Sequence, residues 1–277
     1  MPASPPHDDD RVYGLSDLRR LPRSAIVAVL CVVAMGSTVA FIWRDLIDIH
    51  QPFDPLLAGL WVAMTLLLAW RVRPRRDLIL AFSALCGGFL IEWWGTSTEL
   101  WTYFTYERPP LWIIPAWPVA ALATDRLTLL ADRLVSRLTR PATQSGAPAS
   151  PWPWRIACAF ALAAFIAAMI RFMLPAISVT SSRVVIAIMA GVALTTRAPR
   201  RDLLLFLAGT ALGWLLEYWG TTRECWTYYT QQTPPLETAF AHGFASIAFG
   251  RAAAVLTFAV DRFRPARVAA APPFPSA

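Results

Sequence analysis

EYWGTTRECWTYYTQQTPPL, residues 217–236, restates EWWGTSTELWTYFTYERPPL, residues 92–111: twelve of the twenty positions are identical at a fixed offset of 125. The correspondence reaches outward from the phrase. RPRRDLIL at 73–80 matches APRRDLLL at 198–205, Gly88 matches Gly213 and Arg126 matches Arg251. A polar, aromatic phrase headed by a glutamate is therefore built into both halves of one chain. What surrounds it decides the fold.

The surroundings are apolar. The chain is 56% hydrophobic with a mean hydropathy of +0.47, beyond what an ordinary soluble domain carries. A helix needs about 20 mostly apolar residues to cross a bilayer core of about 30 Å. Such segments are predicted at Ser24–Trp43, Pro55–Trp70, Asp77–Trp94 and Leu111–Leu130, then at Trp154–Leu174, Ala176–Thr196, Asp202–Trp219 and Leu236–Val260. The expected fold is all-α: a polytopic membrane protein of about eight transmembrane helices in two parallel four-helix repeats, each with the phrase between its third and fourth helix. An even number of spans gives both repeats one orientation, related by a pseudo-twofold along the membrane normal. The expected organisation is an N-terminal tail at 1–22, repeats at 23–140 and 154–264, a Pro- and Ser-rich linker at 141–153 and a C-terminal tail at 265–277.

All 25 basic residues are arginine. A net charge of +7 could suggest nucleic acid, but the placement argues for membrane topology instead. Clusters precede the first span, lie between the second and third, fourth and fifth, and sixth and seventh, and follow the eighth. With eight spans they share one face, which the positive-inside rule makes cytoplasmic, together with both termini. A cell membrane, inner or plasma, is the expected location. The N-terminal 22 residues are polar and Pro-rich, without the pattern of a cleavable signal. Cys31, Cys86, Cys158 and Cys225 are isolated, so neither a disulfide framework nor a CxxC metal site is expected.

Both phrases then fall at the outer face. Asp77 and Asp202 are expected as caps where helices three and seven begin, and Arg126 and Arg251 as snorkelling residues at inner helix ends. Fifteen residues separate Asp77 from Glu92, about 22 Å at helical rise, so Glu92 and Glu217 sit just inside the hydrocarbon. An ionisable group there usually faces a bundle interior or a wet cavity. Burial raises a carboxyl pKa and a neighbouring carboxylate raises it further, which would suit a general acid. The alternative is that each glutamate accepts hydrogen bonds from its own loop, from Thr96 and Thr221 or the indoles of Trp101 and Trp226, and fixes the turn at Gly95 or Gly220. His242 stands where the first half has Trp117, about 10 Å into its helix and so at the depth of Glu217. With Arg183 it could complete a Glu217–His242–Arg183 cluster, or a structural ion pair. Catalytic candidates are thus Glu92, Glu217 and His242. Candidate substrate contacts are Arg183, Trp101, Tyr103, Trp117, Trp226 and Tyr228, unless the aromatics form only an interfacial belt. Glu99 and Glu224 read as solvated or loop-ordering. His50 could join a metal site, but no diagnostic ligand spacing is present, and no metal is assigned.

The pattern E-x-x-G-T, W-x-Y, P-P, with a Trp in the next helix of the first half, resembles the membrane families that include the carotenoid biosynthesis hydratases. It is more distantly similar to the small membrane lycopene cyclase domains. The resemblance covers mainly Glu92–Trp117 and Glu217–Leu236, and the glycine–phenylalanine stretch of those hydratases is replaced here by STELW and TRECW. It implies acid-catalysed hydration or cyclisation at an isoprenoid double bond, without a redox cofactor, with Glu92 and Glu217 as proton donors. The expected partner is a membrane lipid or hydrophobic small molecule. The competing classes are a lipid or small-solute transporter and a non-catalytic accessory protein. Reporter fusions at Arg76, Thr143 and Ala270 should read cytoplasmic and labels at Thr98 and Thr222 external; an internal reading at Thr98 breaks the eight-span topology.

Overall fold

The structure, a computed structural model, describes residues 23–42, 55–139 and 151–263. The two tails, the loop containing His50 and linker residues 141–150 lie outside the described residues. The helices are α1 (Arg23–Ile42), α2 (Pro55–Ala69), α3 (Pro74–Ser97), α4 (Ala116–Thr139), α5 (Trp152–Phe172), α6 (Thr180–Leu194), α7 (Pro199–Thr222) and α8 (Leu236–Arg262). Two short strands, β1 (Trp101–Tyr103) and β2 (Trp226–Tyr228), follow α3 and α7.

Local chemistry sets the boundaries. Pro74 and Pro199 open α3 and α7, where a missing N–H costs nothing. Glu99 and Glu224 end them with φ of 59° and 57°, and the amides of Leu100 and Cys225 reach back to the Gly95 and Gly220 carbonyls at 3.0 and 2.9 Å. Most predicted boundaries move by a few residues, and two of the moves have a plain chemical reason. Trp152 and Pro153 belong to α5 rather than the linker, because Pro153 suits a first helical turn. The predicted span from Leu111 starts instead at Ala116: Pro115 disfavours helix at the residue before it, and 111–115 form turns.

Helices α3, α4, α7 and α8 pack as a closed ring of neighbours. Helix α2 lies on α4 with α1 outside it, while α5 packs on α7 and α8, and α6 on α5 and α8. Small residues allow the closest crossing: a β-carbon at Gly243 would stand 2.3 Å from the Phe206 carbonyl oxygen, so α7 and α8 meet backbone to backbone. Large apolar side chains such as Leu78, Leu90, Phe160, Leu207 and Val255 point outward uncovered. Helices α3, α5, α7 and α8 are long and apolar enough to cross a membrane. The chain is an all-α membrane protein. Helices α2 and α6 have 15 residues each, and α4 carries Asp125, Arg126, Asp132 and Arg133 in its second half, so these fall short of that criterion.

At the arginine-rich end, the expected caps lie inside their helices, whose N-caps are Arg73 and Ala198: Asp77 Oδ2 reaches back to accept the Arg73 amide at 2.8 Å and is also ion-paired with Arg126. Arg126 does not snorkel. It is 0% exposed, its Nε donating to the Trp70 carbonyl at 2.8 Å and its Nη1 to Asp125 at 2.9 Å. The expectation fails because α4 lies inside the ring, where protein groups replace the interface as partners. Arg251 pairs with Asp202 at 2.9 Å and is only half-buried. Removing one member of a buried pair strands the other, a loss of about 3–5 kcal/mol. Arg126→Met should therefore sharply lower the thermal midpoint in detergent, and Arg251→Met should lower it less.

Candidate functional site

Strand periodicity builds the site. Residues two apart share a face, so Trp101 and Tyr103 in β1, and Trp226 and Tyr228 in β2, point the same way. Each pair aims at the glutamate nine and eleven residues before it. Glu92 Oε2 accepts from Trp101 Nε1 at 3.0 Å and from the Tyr103 hydroxyl at 2.9 Å. Glu217 Oε2 accepts from Trp226 Nε1 at 2.9 Å and from the Tyr228 hydroxyl at 2.8 Å. A third partner comes from the next helix: Trp117 Nε1 at 3.1 Å from Glu92 Oε1, and His242 Nε2 at 3.0 Å from Glu217 Oε1. Both carboxyl groups are buried. Thr96 and Thr221 hydroxyls instead donate to the backbone carbonyls of the same glutamates, at 2.6 and 2.7 Å.

The strands pair with each other across the two halves of the chain. Trp101 faces Tyr228, Thr102 faces Thr227 and Tyr103 faces Trp226, antiparallel. This register is unchanged when the two strands are exchanged, so a local twofold passes between Thr102 and Thr227. Rings follow the pairing: Trp101 lies 5.9 Å from Tyr228 and Tyr103 lies 5.7 Å from Trp226. The indoles dock flush on glycines. A β-carbon at Gly95 would stand 1.8 Å from the Trp101 ring, and one at Gly220 would stand 1.9 Å from the Trp226 ring. His242 stacks on Trp117 with centroids 5.1 Å apart and planes 14° from parallel.

Both glutamates, the four ribbon aromatics, Trp117 and His242 line one cavity of about 440 Å³. Apart from Thr238 its remaining wall is apolar or aromatic and includes Met35 and Gly36 from α1 and Leu57, Trp61 and Met64 from α2. The expected pocket shared by Glu92 and Glu217 and the expected loop donors are thus both present. The aromatics are not simply a surface belt: Trp94, Trp101, Tyr103, Trp226 and Tyr228 are buried, whereas Trp93, Tyr218 and Tyr229 are exposed. They are drawn inward because buried carboxylates need donors.

Arg183 is not part of this cluster. It is exposed, with its Nη2 at 3.1 Å from the Ser178 carbonyl and 3.4 Å from the Thr180 hydroxyl, within the turn that starts α6. Helix α6 packs on α5 and α8, and Arg183 turns back to its own starting turn instead of reaching Glu217. Glu99 is loop-ordering, bonded to Arg108 at 3.1 Å. Among the described residues, no three His, Cys, Asp or Glu side chains come together as a metal site would require. The α1 and α2 wall residues had no sequence signal beyond apolarity. The strands themselves, though not their pairing, did have one, the alternation in the repeated W-T-Y.

Gly95→Ala and Gly220→Ala should each displace an indole from its glutamate. Overpacking of this kind costs about 1–3 kcal/mol, and the lost charge-assisted bond about 1.5–3 more. Folded yield by size-exclusion fluorescence should fall for both variants, while alanine at Gly59, which has open space around it, should be tolerated. No protein-family model, curated protein or solved structure matches the chain.

Proposed function

We propose that the chain is an intramembrane acid–base enzyme that hydrates or cyclises a carbon–carbon double bond of an isoprenoid or another lipid, with Glu217 and His242 as the proton-transferring pair. The observation that carries this reading is the 3.0 Å contact between Glu217 Oε1 and His242 Nε2 on the wall of a largely apolar cavity. Imidazole is the side chain whose ordinary pKa lies nearest neutrality, so it can reload a carboxyl after each proton transfer. Glu92 has Trp117 in the corresponding place, and an indole N–H donates without titrating. We therefore assign Glu92 chiefly to holding the ribbon and the electrostatics of the cavity.

In this mechanism the Glu217 carboxyl gives its proton to one alkene carbon. The cation on the adjacent carbon faces the Trp101 and Trp226 rings, whose electron-rich faces stabilise it. In hydration, water adds there and its surplus proton passes to Glu217 or His242. In cyclisation, a second double bond of the same substrate attacks, and a C–H proton returns to the same pair. Neither route changes oxidation state overall, and a redox cofactor has no part in it. Tyr103 and Tyr228 hold the carboxyl groups in place. The apolar chain would lie along Met35, Leu57, Trp61 and Met64, reached from the lipid side through α1 and α2.

The architecture we propose is eight spans in two parallel four-helix repeats, in an inner or plasma membrane, with the arginine-rich face and both termini cytoplasmic. The twofold register of β1 and β2 supports the duplication, as do the matched pairs Asp77–Arg126 and Asp202–Arg251. The transporter reading calls for a polar path continuing toward the arginines. Beneath the His242–Trp117 stack the space narrows to about 10 Å³, room for about one water, between Thr124, Leu212, Ser246 and Phe249. That favours the enzyme.

Complementation of a deletion strain, read by lipid and pigment profiling, tests this. Glu217→Gln and His242→Ala should lower product per folded molecule by about a hundredfold or more, the usual scale of general acid–base catalysis. Glu92→Gln should mainly lower folded yield. Wild-type product from both the Glu217 and His242 variants, at wild-type folded yield, would refute the enzymatic reading.

A further inference from the structure

A second cavity, of about 380 Å³, lies at the arginine-rich end between α3, α4, α7 and α8. Arg75, Arg76 and Arg201 line it where α3 and α7 begin, and Leu80, Leu205 and Ala253 line it further along the helices. It thus joins a cationic rim to an apolar wall.

The repeated sequence shows what the rim lacks. Arg76 and Arg201 correspond at the 125-residue offset, and so do Asp125 and Gly250. Arg76 makes a two-pronged contact with Asp125, at 2.7 and 3.3 Å. The same carboxylate also takes Arg73 at 3.1 Å and Arg126 at 2.9 Å. Arg201 has Gly250 where Arg76 has Asp125. Among the described residues its one carboxylate contact is the already shared Asp125 at 3.6 Å, beyond hydrogen-bond reach, and its side chain is 58% exposed. The place of the missing carboxylate is open: a β-carbon at Gly250 would meet only Leu205 Cδ2, at 3.8 Å. Charge points the same way. Among the described residues, Arg73, Arg75, Arg76, Arg126, Arg201 and Arg251 face Asp77, Asp125, Asp202 and Asp261, which leaves the cations in excess.

We infer that this cavity binds an anionic phospholipid, whose phosphate takes against Arg201 the place that Asp125 takes against Arg76. The acyl chain lies along the wall formed by Leu80, Leu205 and Ala253. A guanidinium offers a phosphate the same fork of donors that it offers a carboxylate. A basic recess between membrane helices is a site of the kind that selects anionic headgroups. The apolar wall selects a lipid over a soluble anion. This site is at the opposite end of the bundle from Glu217 and His242, and does not depend on what they do.

The test uses the full chain purified in a non-ionic detergent. Native mass spectrometry counts phosphatidylglycerol or phosphatidylcholine retained, and thermal melting is followed with each lipid added. Wild type should retain one phosphatidylglycerol in preference to phosphatidylcholine, and should melt higher with it. Arg201→Gln should bind it about tenfold more weakly, equivalent to about 1.4 kcal/mol. Gly250→Asp supplies the missing carboxylate from within. It should melt higher than wild type without lipid and lose the response to phosphatidylglycerol. Equal retention of the two lipids by wild type overturns the site, as does an unchanged phosphatidylglycerol response in both variants. Displacement of phosphatidylglycerol by millimolar inorganic phosphate would make it a soluble-anion site and overturn the lipid assignment.

Discussion

Two carboxyl groups buried near one end of a membrane bundle must find donors inside the protein, and that end of the structure is organised by this need. A bare carboxylate in such a place is prohibitively costly, whereas one with three donors is tolerable. Each helix that carries one of these two glutamates ends about two turns later on a left-handed residue, which sends the chain back over its own end. The returning strand delivers an indole and a phenol to one oxygen. Glycine at 95 and 220 follows, because the indole has to lie on the helix backbone to reach its acceptor. The strand-to-strand pairing follows as well, because two such ribbon edges side by side satisfy each other's backbone groups.

The arginine-rich end solves the complementary problem with charge pairs. Among the described residues Arg126 is the most deeply buried cation, and its partners are Asp77, Asp125 and the Trp70 carbonyl. Buried ion pairs contribute little net stability, since desolvation offsets attraction, but they penalise any register in which one member is alone. The pairing of α4 to the start of α3, and of α8 to the start of α7, therefore fixes how far each helix slides past its neighbour. That sliding in turn sets the height of Trp117 and His242 relative to the glutamates.

Much of this was legible in the sequence, and its limits are physical. Apolar run lengths located all eight helices, and Gly, Pro and the repeated glutamate marked their ends. The indole donors were readable because Trp101 and Trp226 recur at one spacing from Glu92 and Glu217. Arg183 was misassigned because depth along a helix says nothing of which neighbours that helix packs on. Arg126 was misassigned because interface and interior look alike until the neighbouring helices are known. The ribbon was missed because two three-residue strands more than a hundred residues apart carry no local signal strong enough to announce their pairing.

Repetition explains the scaffold, and the positions where repetition fails point to chemistry. On α4 and α8 two such differences stand out: Trp117 against His242 and Asp125 against Gly250. The first pair stacks across the two halves, and the second lines the cavity at the arginine-rich end. At the outer position, two tryptophans would give two fixed donors, and two histidines would put two titrating groups in stacking contact. One of each gives Glu92 an indole donor and Glu217 an imidazole neighbour. At the inner position, two aspartates would satisfy Arg76 and Arg201 equally and fill the space between them. One aspartate and one glycine leave a cation facing a void. A twofold arrangement alone cannot distinguish its two sides, so any directional role must come from such substitutions, and both fall on the same pair of helices.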